Sequence, residues 1–141
     1  MRKNLPKHKF YSGYFIREGK KHPFEELSNT VIGAAIDVHK ELGPGFLEGI
    51  YEEALKIQLG EYEIRFESQR EVTVKFHGME IGKQRIDLVI ENQIIIELKA
   101  VKELLDIHMA QLRSYLKATG LKIGLLINFS KPKIEIKRIV N

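Results

Sequence analysis

The stretch from Arg85 to Lys99 constrains the fold of this chain more than any other. Apolar residues alternate with other side chains over 86–90 and again over 94–99, which is the period of a β-strand. The polar residues 91–93 separate the two runs and include a turn-prone asparagine. The pattern predicts two antiparallel strands joined by a three-residue loop, with the isoleucine and leucine side chains on one face.

Three charged residues interrupt this predicted apolar hairpin: Asp87, Glu97 and Lys99. If Ile90 faces Ile94 across the loop, Asp87 lies opposite Glu97, and the Cβ atoms of such neighbours are about 5 Å apart. Lys99 follows two residues later and points to the same face. A register different by one residue would separate the charges, so their convergence depends on the length of the loop.

Two carboxylates in this arrangement repel each other by about 4 kcal/mol at a distance of about 4 Å and an effective dielectric constant near 20. A divalent cation between Asp87 and Glu97 would convert this repulsion into binding, and oxygen ligands favour Mg²⁺ or Mn²⁺. The alternative is a solvent-facing side of the hairpin on which Glu97 and Lys99 are neighbours by accident. The stretch alone leaves both interpretations open.

The composition narrows the class of protein. A chain of 141 residues with 43% hydrophobic residues suits one domain with a single core. The absence of cysteine excludes disulfides and cysteine-based zinc sites. The sequence contains no run of 18 apolar residues, so we expect no membrane span. The basic N-terminus is not followed by the apolar segment of a secretory signal. We therefore expect a soluble, cytoplasmic protein.

The charge is distributed unevenly along the chain. Residues 1–23 have a net charge of +6, whereas the remaining 118 residues have a net charge of −2. We expect a basic arm over 1–23 and a domain over 24–141. Phosphate contacts from the arm, including Lys20 and Lys21, and stacking by its aromatic residues could bind nucleic acid. The alternative is a terminus whose charges are merely solvated.

Periodicity elsewhere predicts the element order α-α-β-β-β-α-β-β, which favours a mixed sheet with helices on its faces. The second helix should run from about Phe46 to Leu59 and bury one face, formed by Leu47, Ile50, Tyr51, Ala54, Leu55 and Gln58. At 100° per residue, Glu48 then lies at the border of that face. We also expect His108 to be a core residue of the third helix, and His39 to lie near the buried edge of the first.

Several motifs are shared with one family of small proteins. Gly45-Phe46-Leu47-Glu48-Gly49-Ile50-Tyr51 matches a GxxExxY motif, and the segments 38–45, 51–55, 111–120 and 124–129 are also typical. The chain thus resembles the GxxExxY family within the PD-(D/E)xK nuclease superfamily, over roughly residues 24–140. The resemblance implies an α/β fold in which a single mixed sheet is flanked by helices, as in restriction endonucleases.

The resemblance also implies a set of catalytic residues. Asp87 matches the motif aspartate, although Ile86 rather than proline precedes it, and Glu97 with Lys99 matches the (D/E)xK pair. Glu48 matches the acidic residue of the first helix that completes the set of metal ligands in many such nucleases. Two further positions match a Gln-x3-Tyr element of RecB-type nucleases: Gln111 and Tyr115.

The implied activity is hydrolysis of phosphodiester bonds in DNA. Mg²⁺ or Mn²⁺ would be held by the side chains of Glu48, Asp87 and Glu97 and the carbonyl of Leu98. Lys99 would position the attacking water, and Arg85 would contact a phosphate. Two alternatives stay open: a nucleic-acid-binding module with little catalysis, and a subunit of a repair or defence assembly that needs a partner protein. A homodimer is a further possibility.

Overall fold

The computed structural model describes residues 25–141, so the basic arm with Lys20 and Lys21 lies outside the described residues. Three helices and five strands follow each other in the predicted order: α1 (Glu25–Leu42), α2 (Glu48–Glu61), β1 (Phe66–Phe76), β2 (Met79–Ile90), β3 (Ile94–Lys99), α3 (Asp106–Thr119), β4 (Ile123–Asn128) and β5 (Glu135–Val140). None of these helices is long and apolar enough to cross a membrane.

The five strands form one mixed sheet in the order β1-β2-β3-β4-β5. Neighbouring strands are antiparallel except β3 and β4, which are parallel and are connected through α3. Such a crossover needs a long connection, which the helix supplies. The predicted fold class, a single α/β domain with a mixed sheet flanked by helices, is confirmed.

The sheet carries a hydrophobic core on each face. The larger core joins α1 and α2 to one face and includes Ile94, Ile96 and Leu98 of β3. The smaller core joins α3 to the other face and includes Ile95 and Leu112. Because β3 is buried on both faces, its sequence is almost continuously apolar, and a charge at Glu97 is correspondingly costly.

The β2–β3 hairpin has the predicted register. Ile90 pairs with Ile94 and Leu88 with Ile96, across a loop of three residues. Glu91 and Asn92 in this loop adopt positive φ angles. The backbone pairing between β2 and β3 extends from the loop only as far as Leu88, so Asp87 is the first unpaired residue of β2. The two strands therefore separate where the carboxylates lie.

The predicted alternation is wrong at Ile86. This side chain does not share the face of Leu88 but belongs to the core beneath α3. The physical reason is an irregularity in the β1–β2 ladder, which skips the pair formed by Gln69 and Asp87. Gln69 has a φ of 56°, in the left-handed region. A residue of this kind interrupts the alternation of side chains. In both strands, the side chains beyond this point therefore lie on the opposite face from the one that the alternation predicts.

Residues 70–86 continue β1 and β2 beyond this irregularity as a two-stranded extension that pairs only with itself. We call it the β-arm. Its strands meet at the turn His77-Gly78, where Phe76 pairs with Met79. The β-arm extends from the β1 edge of the sheet, and its strand β1 contacts α3.

The predicted buried face of α2 is confirmed at Tyr51 and Leu55 but is wrong at its N-terminal end. Leu47 is the N-cap residue and is 81% exposed, and Ile50 is 48% exposed. Glu52 and Leu59 are buried in addition to Tyr51 and Leu55. The acidic Glu52 took no part in an assignment based on apolar residues, which shifted the predicted face around the helix. Glu48, the first residue of α2, is half-buried at the border of this face.

Candidate active site

The centre of the candidate site is the gap between β2 and β3. The Leu98 N–H donates to Asp87 Oδ2 at 2.9 Å, and the Asp87 N–H donates to Glu97 Oε1 at 3.0 Å. Each carboxylate thus accepts a backbone donor from the opposite strand, in place of the missing ladder bonds. These contacts fix both side chains and engage one oxygen of each.

The acidic side chains near this gap have raised pKa values. Burial, followed by the charge of Asp87, raises the pKa of Glu97 to about 8. Burial raises the pKa of Asp87 as well, partly offset by the hydrogen bond from Leu98. The pKa of Glu48 is raised by burial and then by Asp87. The carboxylates therefore lie close enough to oppose each other's ionisation.

Helix α3 places Gln111 and Tyr115 near Lys99, the last residue of β3. Lys99 Nζ donates to Gln111 Oε1 at 3.2 Å. Tyr115 lies one turn further along α3 and is buried. Burial, then the charges of Glu97 and Asp87, raises the pKa of Tyr115, while a hydrogen bond with Gln111 opposes the shift. Lys99 and Tyr115 therefore interact electrostatically with both carboxylates, and Gln111 forms hydrogen bonds with these two side chains.

Glu48 reaches the site because the loop between α1 and α2 is fixed. The hydroxyl of Tyr51 donates to the Gly43 carbonyl at 2.6 Å and accepts the Phe46 N–H at 3.1 Å. Its ring stacks on Phe129 with the centroids 4.5 Å apart. Gly45 has a φ of 116°, a conformation that favours glycine. The motif glycine and tyrosine thus position the start of α2, where Glu48 lies.

Two residues of the site were missed by the sequence analysis: Glu52 and Gln69. Glu52 is buried one turn after Glu48, and both of its oxygens accept from Gln69 Nε2 at 3.2 Å. Gln69 also forms a hydrogen bond with Asp87 that lowers the pKa of this carboxyl. The available signals were the i, i+4 spacing of the two glutamates and the break in alternation near residue 68.

Asn128 was also missed, although a polar residue at the end of an apolar run is a visible signal. It is fully buried, accepts the Val101 N–H at 3.0 Å and donates to the Val101 carbonyl at 2.9 Å. The Phe129 N–H donates to the Lys99 carbonyl at 3.0 Å. The end of β4 therefore holds the backbone on both sides of residue 100, which fixes Lys99.

Other candidates lie apart from the carboxylates. His39 Nε2 contacts the Lys131 carbonyl at 2.7 Å and connects α1 to the β4–β5 loop. His108 is not a core residue, because its Nδ1 accepts the Leu105 N–H at the start of α3. Arg85 is exposed on β2, two residues before Asp87.

The donor set suits a hard divalent cation. No group of three His, Asp or Glu side chains within residues 25–141 forms a ready-made ligand cage. Asp87 and Glu97 nevertheless each retain a second oxygen, and Glu48 lies near enough to be affected by Asp87. Because the raised pKa values show that negative charge is disfavoured here, a bound cation would stabilise the ionised carboxylates.

A groove borders this site on the α3 side of the sheet. It has a volume of about 1230 Å³ and lies between α3 and the β-arm. Lys99, Gln111 and Tyr115 line it together with residues of the β-arm such as Arg70 and Lys75. The groove thus includes Lys99 and Tyr115, which interact electrostatically with both carboxylates.

Comparisons with known proteins define the class of this chain. A family model described as the PD-(D/E)XK nuclease superfamily matches residues 25–139. The chain therefore belongs to the PD-(D/E)XK nuclease superfamily. It is also similar to the crystal structure of SSO0001, with a TM-score of 0.54 and 20% sequence identity, over 95% of this chain and 61% of that one. This likeness concerns the fold alone. No curated protein sequence matches the chain significantly.

Proposed function

We propose that this protein is a nuclease that uses Mg²⁺ or Mn²⁺ to hydrolyse phosphodiester bonds in DNA. The observation that carries the proposal is the gap between β2 and β3, where Asp87 and Glu97 each accept a backbone N–H of the other strand. Lys99 lies beside this pair and Glu48 faces it from α2. The motif over 45–51 supports assignment to the GxxExxY group of the superfamily. We further propose that the protein acts in the cytoplasm.

The acidic residues would bind the cation. Asp87, Glu97 and the carbonyl of Leu98 would hold it, and Glu48 would complete the set. Bound there, the ion supplies a water of lowered pKa and positive charge against the phosphate oxygens. Glu52 does not enter this set directly, because its oxygens accept from Gln69, through which it supports Asp87.

Lys99 would act on the reacting groups. Its ammonium adds positive charge where the phosphate becomes more negative, and it can donate to the attacking water. A protonated ammonium is a poor base, so its role is positioning and charge stabilisation. Gln111 holds the ammonium through Oε1, and Tyr115 supports Gln111. Arg85 and the arm residues Lys20 and Lys21 would contact the DNA backbone.

The test is incubation of the pure protein with linear, branched and single-stranded DNA in Mg²⁺ or Mn²⁺. We expect cleavage that EDTA abolishes and that Asp87→Ala or Lys99→Ala lowers roughly 10²- to 10⁴-fold. Matched controls are Asp106→Ala and Lys137→Ala, exposed residues of the same types away from the carboxylates. Cleavage that survives EDTA, or persists in Asp87→Ala, would contradict the proposal.

The basic groove beside the carboxylates favours one second candidate, a DNA-binding module with little catalysis. DNA binding by the pure protein, with no cleavage in either metal, would favour it. Cleavage gained on addition of a partner protein would instead indicate a subunit of a larger assembly.

A further inference from the structure

The groove between α3 and the β-arm is elongated. Helix α3 lines one side of it from Ile107 to Thr119, a length of about 18 Å at 1.5 Å per residue. The opposite side is formed by residues 70–75 of β1 and by Gln84 of β2. An extended strand of nucleic acid that lies along this groove can therefore contact both sides.

The lining of the groove is positively charged. The β-arm contributes Arg70 and Lys75, and Lys117 lies opposite on α3. Lys99 adds a fourth cation at the catalytic end. Glu71 is the acidic member of the lining and lies 3.9 Å from Lys83 of the neighbouring strand. A chain of phosphates is therefore complementary to this groove.

The tip of the β-arm exposes apolar side chains beyond the residues that line the groove. Phe76 is 61% exposed, and its cross-strand neighbour Met79 is 71% exposed. Phe76 is the next residue after Lys75, the last residue of β1 that lines the groove, and its ring stacks on His77 with the centroids 4.0 Å apart. An exposed aromatic ring is a surface on which unpaired bases stack in proteins that bind single strands.

We infer that the groove binds one unpaired DNA strand and directs it to the carboxylates. Lys75 and Lys117 contact its phosphates, and Phe76 stacks on a base at the entrance. The inference rests on the proposed function for what happens at the catalytic end. Strand binding itself requires no catalysis and can be measured without metal.

The first test measures binding of the full chain to a labelled 15-nucleotide single strand and to its duplex in EDTA, by fluorescence anisotropy. We expect the single strand to bind at least tenfold more tightly. Lys75→Ala/Lys117→Ala should lower this affinity about tenfold and reduce the slope of log affinity against log salt by about 1.4, or 0.7 for each lost phosphate contact. The charge-matched control is Lys40→Ala/Lys137→Ala, at exposed positions outside the groove.

The second test examines the tip. Phe76→Ala should weaken binding of the single strand about tenfold, while Phe76→Trp should retain it. Ile57→Ala removes an equally exposed apolar side chain from α2 and should have no effect. Since these side chains are exposed, folding should be preserved, which circular dichroism checks.

Three results would overturn the inference: equal or tighter binding of the duplex, unchanged binding by the groove variants, or a dimer that Phe76→Ala disrupts while DNA binding stays unchanged. Failure of the nuclease proposal would look different. Single-strand binding through the groove without cleavage in Mg²⁺ would contradict the proposed activity and leave the inference standing.

Discussion

Glu97 is the residue whose chemistry depends most on its neighbours. It is 4% exposed, on a strand covered by both cores. Its pKa lies at about 8, compared with an ordinary value of 4.5, because of burial and then the charge of Asp87. Metal-free protein at neutral pH therefore keeps this carboxyl largely protonated. Proton and cation compete for the same oxygens.

This competition predicts how stability depends on pH. In metal-free protein, the contribution of Glu97 is fully present below pH 4.5 and is lost as the pH rises to about 8, because the unfolded chain releases this proton first. We expect the free energy of unfolding of the wild type to fall through this window relative to Glu97→Gln. Urea denaturation in EDTA at several pH values measures the difference.

Mg²⁺ provides the control for this prediction. The ion binds the ionised carboxylates, so it should stabilise the wild type more at pH 8 than at pH 5.5 and should have little effect on Glu97→Gln. Glutamine retains the oxygen that accepts the Asp87 N–H, so the variant should fold. Parallel pH profiles of the two proteins in EDTA would contradict the raised pKa.

Gln111 provides a second prediction at the scale of single residues. Gln111→Ala removes the acceptor that holds Lys99 Nζ at 3.2 Å. If DNA is cleaved as proposed, kcat should fall about tenfold while KM changes little, because the ammonium is misplaced and not removed. Ser114→Ala, an exposed position of α3 that also lines the groove, is the control. A change in KM alone would assign Gln111 to DNA binding.

At this scale the hairpin register predicted how the charged residues of β2 and β3 converge, and the resemblance supplied the candidates on the helices, but the contact between Glu52 and Gln69 was missed. The spacing of Asp87, Glu97 and Lys99 follows from the hairpin register, which is set by a three-residue loop. Glu52 and Gln69 meet across α2 and β1. Their contact depends on the positive φ angle of Gln69. Glutamine rarely adopts this conformation, so the sequence does not predict it.

At the scale of elements, the start of α2 determines where Glu48 lies. The Tyr51 hydroxyl connects the Gly43 carbonyl to the Phe46 N–H. Tyr51→Phe keeps the stacked ring but leaves both backbone groups without this partner, which should cost about 1–3 kcal/mol of stability. If DNA is cleaved as proposed, the rate should fall as well, because the loop leads directly into Glu48.

Tyr62→Phe is the matched control for this variant. The Tyr62 hydroxyl donates to Asp37 Oδ2 at 3.0 Å, at the far end of α2. Its loss should lower stability by denaturant titration and leave the specific activity unchanged. If the two variants lose activity in proportion to stability, the loop has no particular role in positioning Glu48.

The ends of two helices were predictable because a glycine follows each of them. Gly43, with a φ of 71°, follows the last residue of α1, and Gly120, with a φ of 77°, caps α3. Apolar residues predicted only part of the buried face of α2, namely Tyr51 and Leu55. Glu52 occupies this face because Gln69 satisfies its carboxylate, and that partner is 17 residues away.

At the scale of the whole molecule, the sheet separates a layer formed by α1 and α2 from a layer formed by α3. The site depends on how each layer packs on the sheet. The element order predicted a mixed sheet with helices on its faces, since a helix between two apolar strands implies a parallel pair. The fit between layers was not predictable, because β3 and β4 are apolar on both faces and carry no directional pattern. That fit decides where Gln111 and Tyr115 stand over the carboxylates.

Gly124 on β4 lies directly beneath Leu112 of α3. A Cβ at this position would lie 2.8 Å from Leu112 Cδ1 and 2.9 Å from its Cγ. Gly124→Ala should therefore cost about 1–3 kcal/mol through overpacking. Because Leu112 follows Gln111 on α3, displacement of the helix should also move the partner of Lys99 and lower DNA cleavage.

A double-mutant cycle separates this effect from a general loss of stability. Leu112→Ala alone should cost about 2–5 kcal/mol, because it leaves a cavity beneath α3. In Gly124→Ala/Leu112→Ala the new methyl group enters that cavity, so the two costs should sum to about 0.5–3 kcal/mol more than the double variant loses. Additive costs by urea denaturation would contradict the close contact. Recovery of cleavage in the double variant, relative to Gly124→Ala, would show that the distance between α3 and the sheet controls the position of Gln111 over the site.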